Sequence, residues 1–589
     1  MVKRLFVLTG VITVGALIGL CFSFHSIFLV VAVLSLLLEA MLVLVLKPPI
    51  LAERSWRNSF FDLSCNDDSP VWIWTFPGSF YLPWYNAVIK EIGSCRLFHD
   101  MSSQSKPRVI ILPHGTILAP PVIEILRTMI ENGVSVLCEC PNTELEPITG
   151  LVPDGSELNC ARHRIGGKTV DLTGAKARGY RNTYNPASGK AFDDVLLERR
   201  IGKGTVFILT VFYSQWVMNI TQGKPNRPGG RFHKKLSLDM QGMQTPDLRT
   251  DSPPSVLFEP VLDWFDAVLF ARLRDQCRLP SWWYYPDDFA SAFILTFDED
   301  WHGKKAQLFP PPGIPSSWFV VDDSGLDDST VRYIRESGGE IQFHWNRFIL
   351  HLTQFGWHFC PRSAQTQRER LAGKIKDTPR ICRIHYLRWD ADFDNLFYVM
   401  KEAGLEVDSS FGPGRDQHGY RFGTGFPYWI SGKDGTPVGI LETPFQIHEP
   451  MGGRPLSDHL RLLEESIRDH HTIIVGLYHP YYCLPGKQSH EAYQGVLKFL
   501  QSNKKQIWCT NLGVLTDFWN KRQETAILSS WNDHELTLRF NKTDVGGMTL
   551  RLPDVEHMET LDIDGHLIPP RERVTLQNSE QLLRIKYCP

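Results

Sequence analysis

Residues 292–301 read AFILTFDEDW, an apolar run that ends abruptly in Asp298, Glu299 and Asp300. The run has the length and the Ile, Phe and Thr content of a buried strand. Three adjacent carboxylates repel one another unless a cation or an arginine compensates them. A solvated acidic turn is the plain alternative, yet the end of a strand in an α/β fold is where ligands collect. The pattern then recurs. GGEIQFHWNR (338–347) predicts a strand ending in His344, and RICRIHYLRW (380–389) brings Arg383, His385, Tyr386 and Arg388. GLEVDSSFGP (404–413) ends in Asp408, GILETPFQIHEP (439–450) follows, and TIIVGLYHPYY (472–482) ends in His479-Pro480. Helical stretches separate several of these runs. One histidine of this kind is ordinarily structural. Recurrence of acid or imidazole at successive strand ends predicts one shared site in a repetitive α/β unit.

Outward toward the N-terminus, RVIILPHG (108–115), PPVIEILRTMIENG (120–133), VSVLCEC (134–140) and GKGTVFILTVF (202–212) read as strand, helix, strand and strand. That order predicts an open parallel sheet covered by helices, over residues 65–285. The stretch resembles the class I glutamine-amidotransferase-like fold. The nucleophile of that fold requires a Cys on a Gly-flanked turn after a strand; Cys138 and Cys140 lack the glycines. The resemblance therefore implies a domain that binds or packs. Residues 222–260 are rich in Pro, Gly and Arg and read as a linker, its basic cluster Arg227, Arg231, Lys234 and Lys235 a solvated loop. At the far end, alternating runs over 523–589 predict a small antiparallel β-sandwich that caps its neighbour or binds glycan.

Residues 5–24 and 26–46 are two nearly continuous apolar runs. Each is long enough to cross about 30 Å of hydrocarbon as a helix. A cleaved signal would lead into polar sequence, so a membrane anchor over residues 1–50, of one or two helices, is the expectation. With Lys3 and Arg4 before the runs and Lys47, Arg54 and Arg57 after them, a hairpin places both ends in the cytoplasm; a single anchor places the remainder outside. The expected location is the cell membrane, with lipid as one partner. Lys+Arg 62 against Asp+Glu 65 gives a net charge of −3, which argues against a nucleic-acid partner. Twelve Cys without a Cys-x-x-Cys pair exclude a disulfide scaffold. Aromatic residues at 12%, with 17 Trp, suit sugar stacking as well as large cores. Oligomeric state is not legible.

The strand-end series resembles the polysaccharide deacetylase (NodB homology) superfamily over residues 285–515. The matching segments are Thr296-Phe297-Asp298-Glu299, His344, Arg383-Ile384-His385-Tyr386, Asp408-Ser409-Ser410 and Leu477-Tyr478-His479-Pro480. The resemblance implies a distorted (β/α) barrel over 286–522. It also implies a metal-dependent hydrolase that removes N- or O-acetyl groups from a glycan. On that resemblance Asp298 is the general base and Glu299 or Asp300 the metal carboxylate, with His344 a metal ligand. Arg383 orients the base, His479 is the general acid, Asp408 sets its orientation, and Tyr386 offers a backbone oxyanion contact. The aromatics beside the strand ends, Trp301, Trp345, Trp389 and Tyr481, are the expected sugar-stacking surface. The implied cofactor is a divalent metal, zinc first, with Co, Mn or Ni as alternatives.

Two departures bear on the metal. The first motif reads Asp-Glu-Asp, which leaves the ligand register open by one residue. The superfamily's second motif carries two histidines four apart, but Phe348 stands four after His344. His351 is seven after it, about 10.5 Å along a helix, too far to share an ion unless the loop is non-helical. His448 is another replacement. The metal site is thus either altered or lost, and the alternative function is an inactive, glycan-binding scaffold of a polysaccharide synthesis or export system.

Overall fold

The computed structural model describes residues 63, 66–76, 78–100, 107–160, 162–165, 168–172, 174–181, 195–222, 259–300, 309, 311–346, 364–387, 393–413, 418–432, 435–449, 456–532, 534–542, 544–577 and 582–588. The apolar runs 5–24 and 26–46 and nearly all of the expected linker lie outside these residues, as do Trp301, His351 and Trp389. Among the described residues no helix is long and apolar enough to cross a membrane.

The N-terminal sheet is built from β1 (Val71–Trp74), β2 (Arg96–Phe98), β3 (Val109–Leu112) and β4 (Ser135–Glu139), then β9 (Leu196–Ile201) and β10 (Gly204–Leu209). Its order is β2-β1-β3-β4-β10-β9, parallel throughout except for the β9–β10 hairpin. Buried on both faces, β1, β3 and β4 carry the continuous apolar runs that a covered parallel sheet demands. The helix expected after β3 spans Pro120–Glu131 and buries Ile123, Leu126 and Ile130. At the β9–β10 turn Gly202 has φ +57, and a Cβ there would meet the Glu131 backbone at 2.7 Å. Only glycine fits that approach. Between β4 and β9 the chain makes two antiparallel pairs, β5 (Val152–Asn159) with β8 (Lys176–Arg181) and β6 (Arg162–Ile165) with β7 (Lys168–Asp171). The sequence reading contained neither pair; β5 and β8 are polar and half exposed, without an apolar alternation to mark them.

After β11 (Ser281–Trp282) comes the larger sheet, of ten strands. Its members are β12 (Ser291–Glu299), β13 (Ser316–Val320), β14 (Gly339–Trp345), β15 (Ile381–Ile384), β16 (Val407–Asp408), β17 (Tyr428–Ser431), β18 (Pro437–Glu442), β19 (Ile447–His448), β20 (Ile473–Tyr478) and β21 (Ile507–Thr510). The path runs β17-β18-β16-β15-β14-β13-β12-β20-β19, with β21 beside the first residues of β12. Every pairing but β17–β18 is parallel. The distorted barrel expected from the resemblance is, among the described residues, a half-barrel sheet, with no ladder joining β17 to β19. The fully buried β12, nine residues long, pairs with β13, β20 and β21.

The C-terminal strands β22 (Ile527–Asn532), β23 (Glu535–Phe540), β25 (Met558–Ile563), β26 (His566–Ile568) and β28 (Leu583–Tyr587) form one antiparallel sheet. A second sheet pairs β24 (Thr549–Arg551) with β27 (Arg573–Thr575) and with β11. The two enclose one apolar cluster containing Trp282, Leu536, Leu550 and Ile585. The sandwich thus borrows a strand from residue 281, well before its expected start at 523. Trp531 and Tyr587 are also occupied, by the guanidiniums of Arg108 and Arg278 at 4.8–5.4 Å. These aromatics join domains, which favours the capping role over glycan binding.

Buried charges weld the N-terminal sheet to the large one. Lys90 Nζ lies 2.8 Å from Asp263 and 2.7 Å from Asp266, all three almost fully enclosed. Asp263 in turn accepts from Thr424 Oγ1 and the Gly425 N–H of the large-sheet unit. The open edge strand β17 is closed by side-chain amides. Asn86 and Gln222 each donate to one β17 carbonyl and accept one β17 N–H. Removing one partner of a buried ion cluster leaves the other charges uncompensated, at about 3–5 kcal/mol. Lys90→Ala should lower unfolding free energy by about that amount in urea titration; a loss under about 1 kcal/mol would show that the cluster does not join the units.

Candidate functional site

Alternation along the strands decides which side chains meet. On β12, Ala292 and Ile294 pack in the core shared with Phe319, Ile381, Val407, Leu441 and Leu477. Phe293, Leu295 and Phe297 pack in the other core, with Trp318, Phe343, Trp345, Cys382, Ile384 and Ile440. Successive residues of a strand face opposite sides. Thr296 and Asp298 therefore fall on the first face, as do His344 between Phe343 and Trp345, and Arg383 between Cys382 and Ile384. Parallel pairing in register (His344 beside Arg383, Asp298 beside Phe319) brings these C-terminal ends level.

Arg383 is wholly buried. Its guanidinium donates to Asp298 Oδ1 at 2.9 Å, Thr296 Oγ1 at 2.7 Å, the Ser409 carbonyl at 2.7 Å and Ser409 Oγ at 3.0 Å. Its own carbonyl lies 2.9 Å from His344 Nδ1. A carbonyl only accepts, so Nδ1 carries the proton and the Nε2 lone pair is left free for a ligand. Nε2 lies 3.1 Å from Asp300 Oδ1, and His385 Nε2 lies 3.4 Å from the same oxygen. His385 is the first residue of the 3-10 turn His385–Leu387 and is 2% exposed.

The ligand atoms of Asp300, His344 and His385 all lie within 4.8 Å of one another. An ion with bonds of about 2.0–2.1 Å in tetrahedral geometry has its ligand atoms about 3.3 Å apart. The two measured separations match that edge. The residues present therefore fit a divalent metal with two imidazoles and one carboxylate, leaving a fourth position open. Burial pushes the Asp300 carboxyl up, but the imidazoles of His385, His344 and His479 outweigh it and hold the group well below the usual carboxylate range. Burial likewise pushes His385 down, toward the neutral form that ligates.

His479 stands across from this trio, its Nε2 3.6 Å from Asp300 Oδ2. Burial opposes its charge, yet Glu449 first, and then Asp300 and Asp298, raise its pKa to about 10. The Glu449 carboxylate meets His479 twice: Oε1 on ring Nδ1 and Oε2 on the backbone N–H.

The structure thus brings together Asp298, Asp300, His344, Arg383 and His479 of the residues read from the sequence. It does not bring Asp408 to His479. Asp408 pairs in register with Cys382 and Glu442, on the face opposite Arg383. It accepts from Ser410 Oγ at 2.7 Å and faces Glu442, whose carboxyl is pushed far up by burial and by Asp408. Alternation puts Glu299 on the Phe297 face, away from the trio, so the carboxylate brought to the two imidazoles is that of Asp300. Trp345 is 3% exposed in the opposite core and offers no face to a sugar. Tyr481 is 40% exposed, with Lys487 over its ring. Tyr386 occupies the middle of the turn after β15.

Two residues of the site were not assigned from the sequence. His385 is two after Arg383, hence on the same face of the strand, and that spacing was the available signal. Glu449 had none, because its place depends on which strand neighbours β20.

No family model matches the chain, and no curated protein matches it. Among solved structures, a Puue allantoinase is similar at 15% identity, covering 41% of this chain and 94% of that one, with TM-score 0.30. A family 4 carbohydrate esterase from Streptomyces lividans in complex with acetate is similar at 15% identity, over 38% and 92%, with TM-score 0.23. A polysaccharide deacetylase from Bacillus cereus is similar at 13% identity, over 38% and 91%, with TM-score 0.23. Likeness at these scores carries no inference about activity, which rests on the residues themselves.

With Zn²⁺ as probe, isothermal titration of His385→Ala and His344→Ala should show affinity reduced by more than about 100-fold, beyond the effect of an outer-shell change. His448→Ala should bind as the unaltered chain does. Unchanged affinity in His385→Ala would remove it from the ligand set.

Proposed function

We propose that this chain is a divalent-metal-dependent hydrolase that removes acetyl groups from the nitrogen or oxygen of a carbohydrate. The observation that carries the reading is the convergence of Asp300 Oδ1 with the Nε2 atoms of His344 and His385, between a carboxylate held by arginine and an imidazole held by a carboxylate. A divalent ion bound there, zinc first among candidates, supplies Lewis acidity and brings the pKa of water toward 7.

The chain's own groups divide the proton work. Asp298 is the general base: Arg383 engages its Oδ1, and its Oδ2 faces the trio, 3.9 Å from His344 Nε2, where it accepts the proton of the attacking water. Arg383 fixes the direction of that carboxylate through a charge-assisted hydrogen bond. His479 is the general acid. Glu449 favours its charged form, so Nε2 can deliver a proton to the departing amine or alkoxide. A base beside a cation and an acid beside an anion is the separation that such hydrolysis requires at neutral pH. The Tyr386 backbone N–H, adjoining His385, is the proposed donor to the developing oxyanion. The exposed ring of Tyr481, two residues from His479, suits a sugar face. The length of the runs 5–24 and 26–46 supports membrane attachment of this activity.

The test is acetate release by the zinc-supplied chain from N-acetyl glucosamine oligomers and from an O-acetylated glycan. Asp298→Asn should lower kcat by about 10²–10⁴-fold while zinc affinity stays within about twofold. No acetate from either substrate class would overturn the reading and leave a glycan-binding protein.

A further inference from the structure

We infer that Glu449 is the positioning residue of His479, the part the sequence pattern assigned to Asp408. The inference rests on the hydrolase reading for its kinetic consequence, and on geometry for the contact itself.

The contact follows from sheet register. β19 runs parallel to β20 with Ile447 beside Gly476 and His448 beside Leu477. One step further the Glu449 N–H donates to the Leu477 carbonyl at 2.9 Å. The residue after β19 is thereby set against the residues that follow β20. Glu449 is 1% exposed, so its carboxylate has to be satisfied by protein. Both of its oxygens go to one residue: Oε2 accepts the His479 backbone N–H at 2.6 Å, and Oε1 meets ring Nδ1. Pro480 follows and lacks an N–H, so His479 supplies the last backbone donor before the short helix Pro480–Cys483. The Tyr482 ring stands 5.7 Å from the imidazole.

Clamping backbone and ring together fixes two things. The proton on Nδ1 is held, and the ring cannot turn about χ2 without losing its partner, so Nε2 is aimed at Asp300 Oδ2. Among the described residues no other carboxylate meets Nδ1. Asp298 is engaged by Arg383, Asp300 faces Nε2, and Asp408 with Glu442 lies on the far face of the sheet. A residue serving only to hold the loop would need the backbone contact alone.

The experiment compares Glu449→Gln, Glu449→Asp and Glu449→Ala in the full chain with zinc supplied. The inference predicts kcat lowered by about 10–100-fold in Gln and Ala, KM and zinc affinity within about twofold, and partial recovery in Asp. Independently of turnover, ¹⁵N NMR of the histidines should show a strongly hydrogen-bonded Nδ1 proton on His479. The resonance is assigned by its loss in His479→Gln, and it should disappear in Glu449→Gln while the thermal midpoint changes by no more than a few degrees. Persistence of that resonance in Glu449→Gln overturns the inference, and so does a loss of zinc affinity in parallel with kcat. If the chain releases no acetate but the resonance follows Glu449, the hydrolase reading fails and the positioning contact stands.

Discussion

Arg383 is completely enclosed, so its charge is answered within the protein, and the groups that answer it are those of the site. Its side chain ties Asp298 and Thr296 on β12 to Ser409 after β16. Its carbonyl fixes the tautomer of His344 on β14. The next residue on its own face is His385. One residue therefore holds Asp298, orients His344 and precedes His385 by two positions. A buried pair such as Asp298–Arg383 contributes little net stability compared with apolar packing, and breaking it is costly. Such a pair is better suited to fixing positions than to stabilising the fold.

The same economy bears on the cluster of Asp300, His344 and His385 that we propose as the metal site. In a parallel sheet the C-terminal ends of neighbouring strands lie level, so an imidazole can be supplied from the loop after β14 or from the end of β15. Here the second imidazole comes from β15 as His385, immediately beside the strand that carries His344. Glu449 illustrates the same freedom at His479: the carboxylate on that imidazole comes from the end of β19, next to β20, and Asp408 is left beside Glu442.

Much of this was legible in the residues. The strand ends at Asp298, His344, Arg383, Asp408 and His479 all exist, because uninterrupted apolar runs that stop at a polar residue have few other readings. What the sequence withheld was of two kinds. Face is a period-two property, and a one-residue ambiguity in strand register reverses it. Asp300 against Glu299, and the place of Asp408 and Trp345 on the opposite buried face, follow only from the packing of Phe297, Phe343 and Cys382. Neighbourhood is a property of strand order, which a single chain does not print, so Glu449 and the borrowed strand β11 were hidden. Polar edge strands such as β5 and β8 lack the apolar alternation that would have marked them.

The central claim is that Asp300, His344 and His385 share one ion. Zinc K-edge absorption spectroscopy of the zinc-loaded full chain tests it directly. The account predicts two imidazole nitrogens and one carboxylate oxygen, with the remaining ligand light, at about 2.0–2.1 Å. A first shell with a single imidazole, or with sulfur at about 2.3 Å, would contradict it.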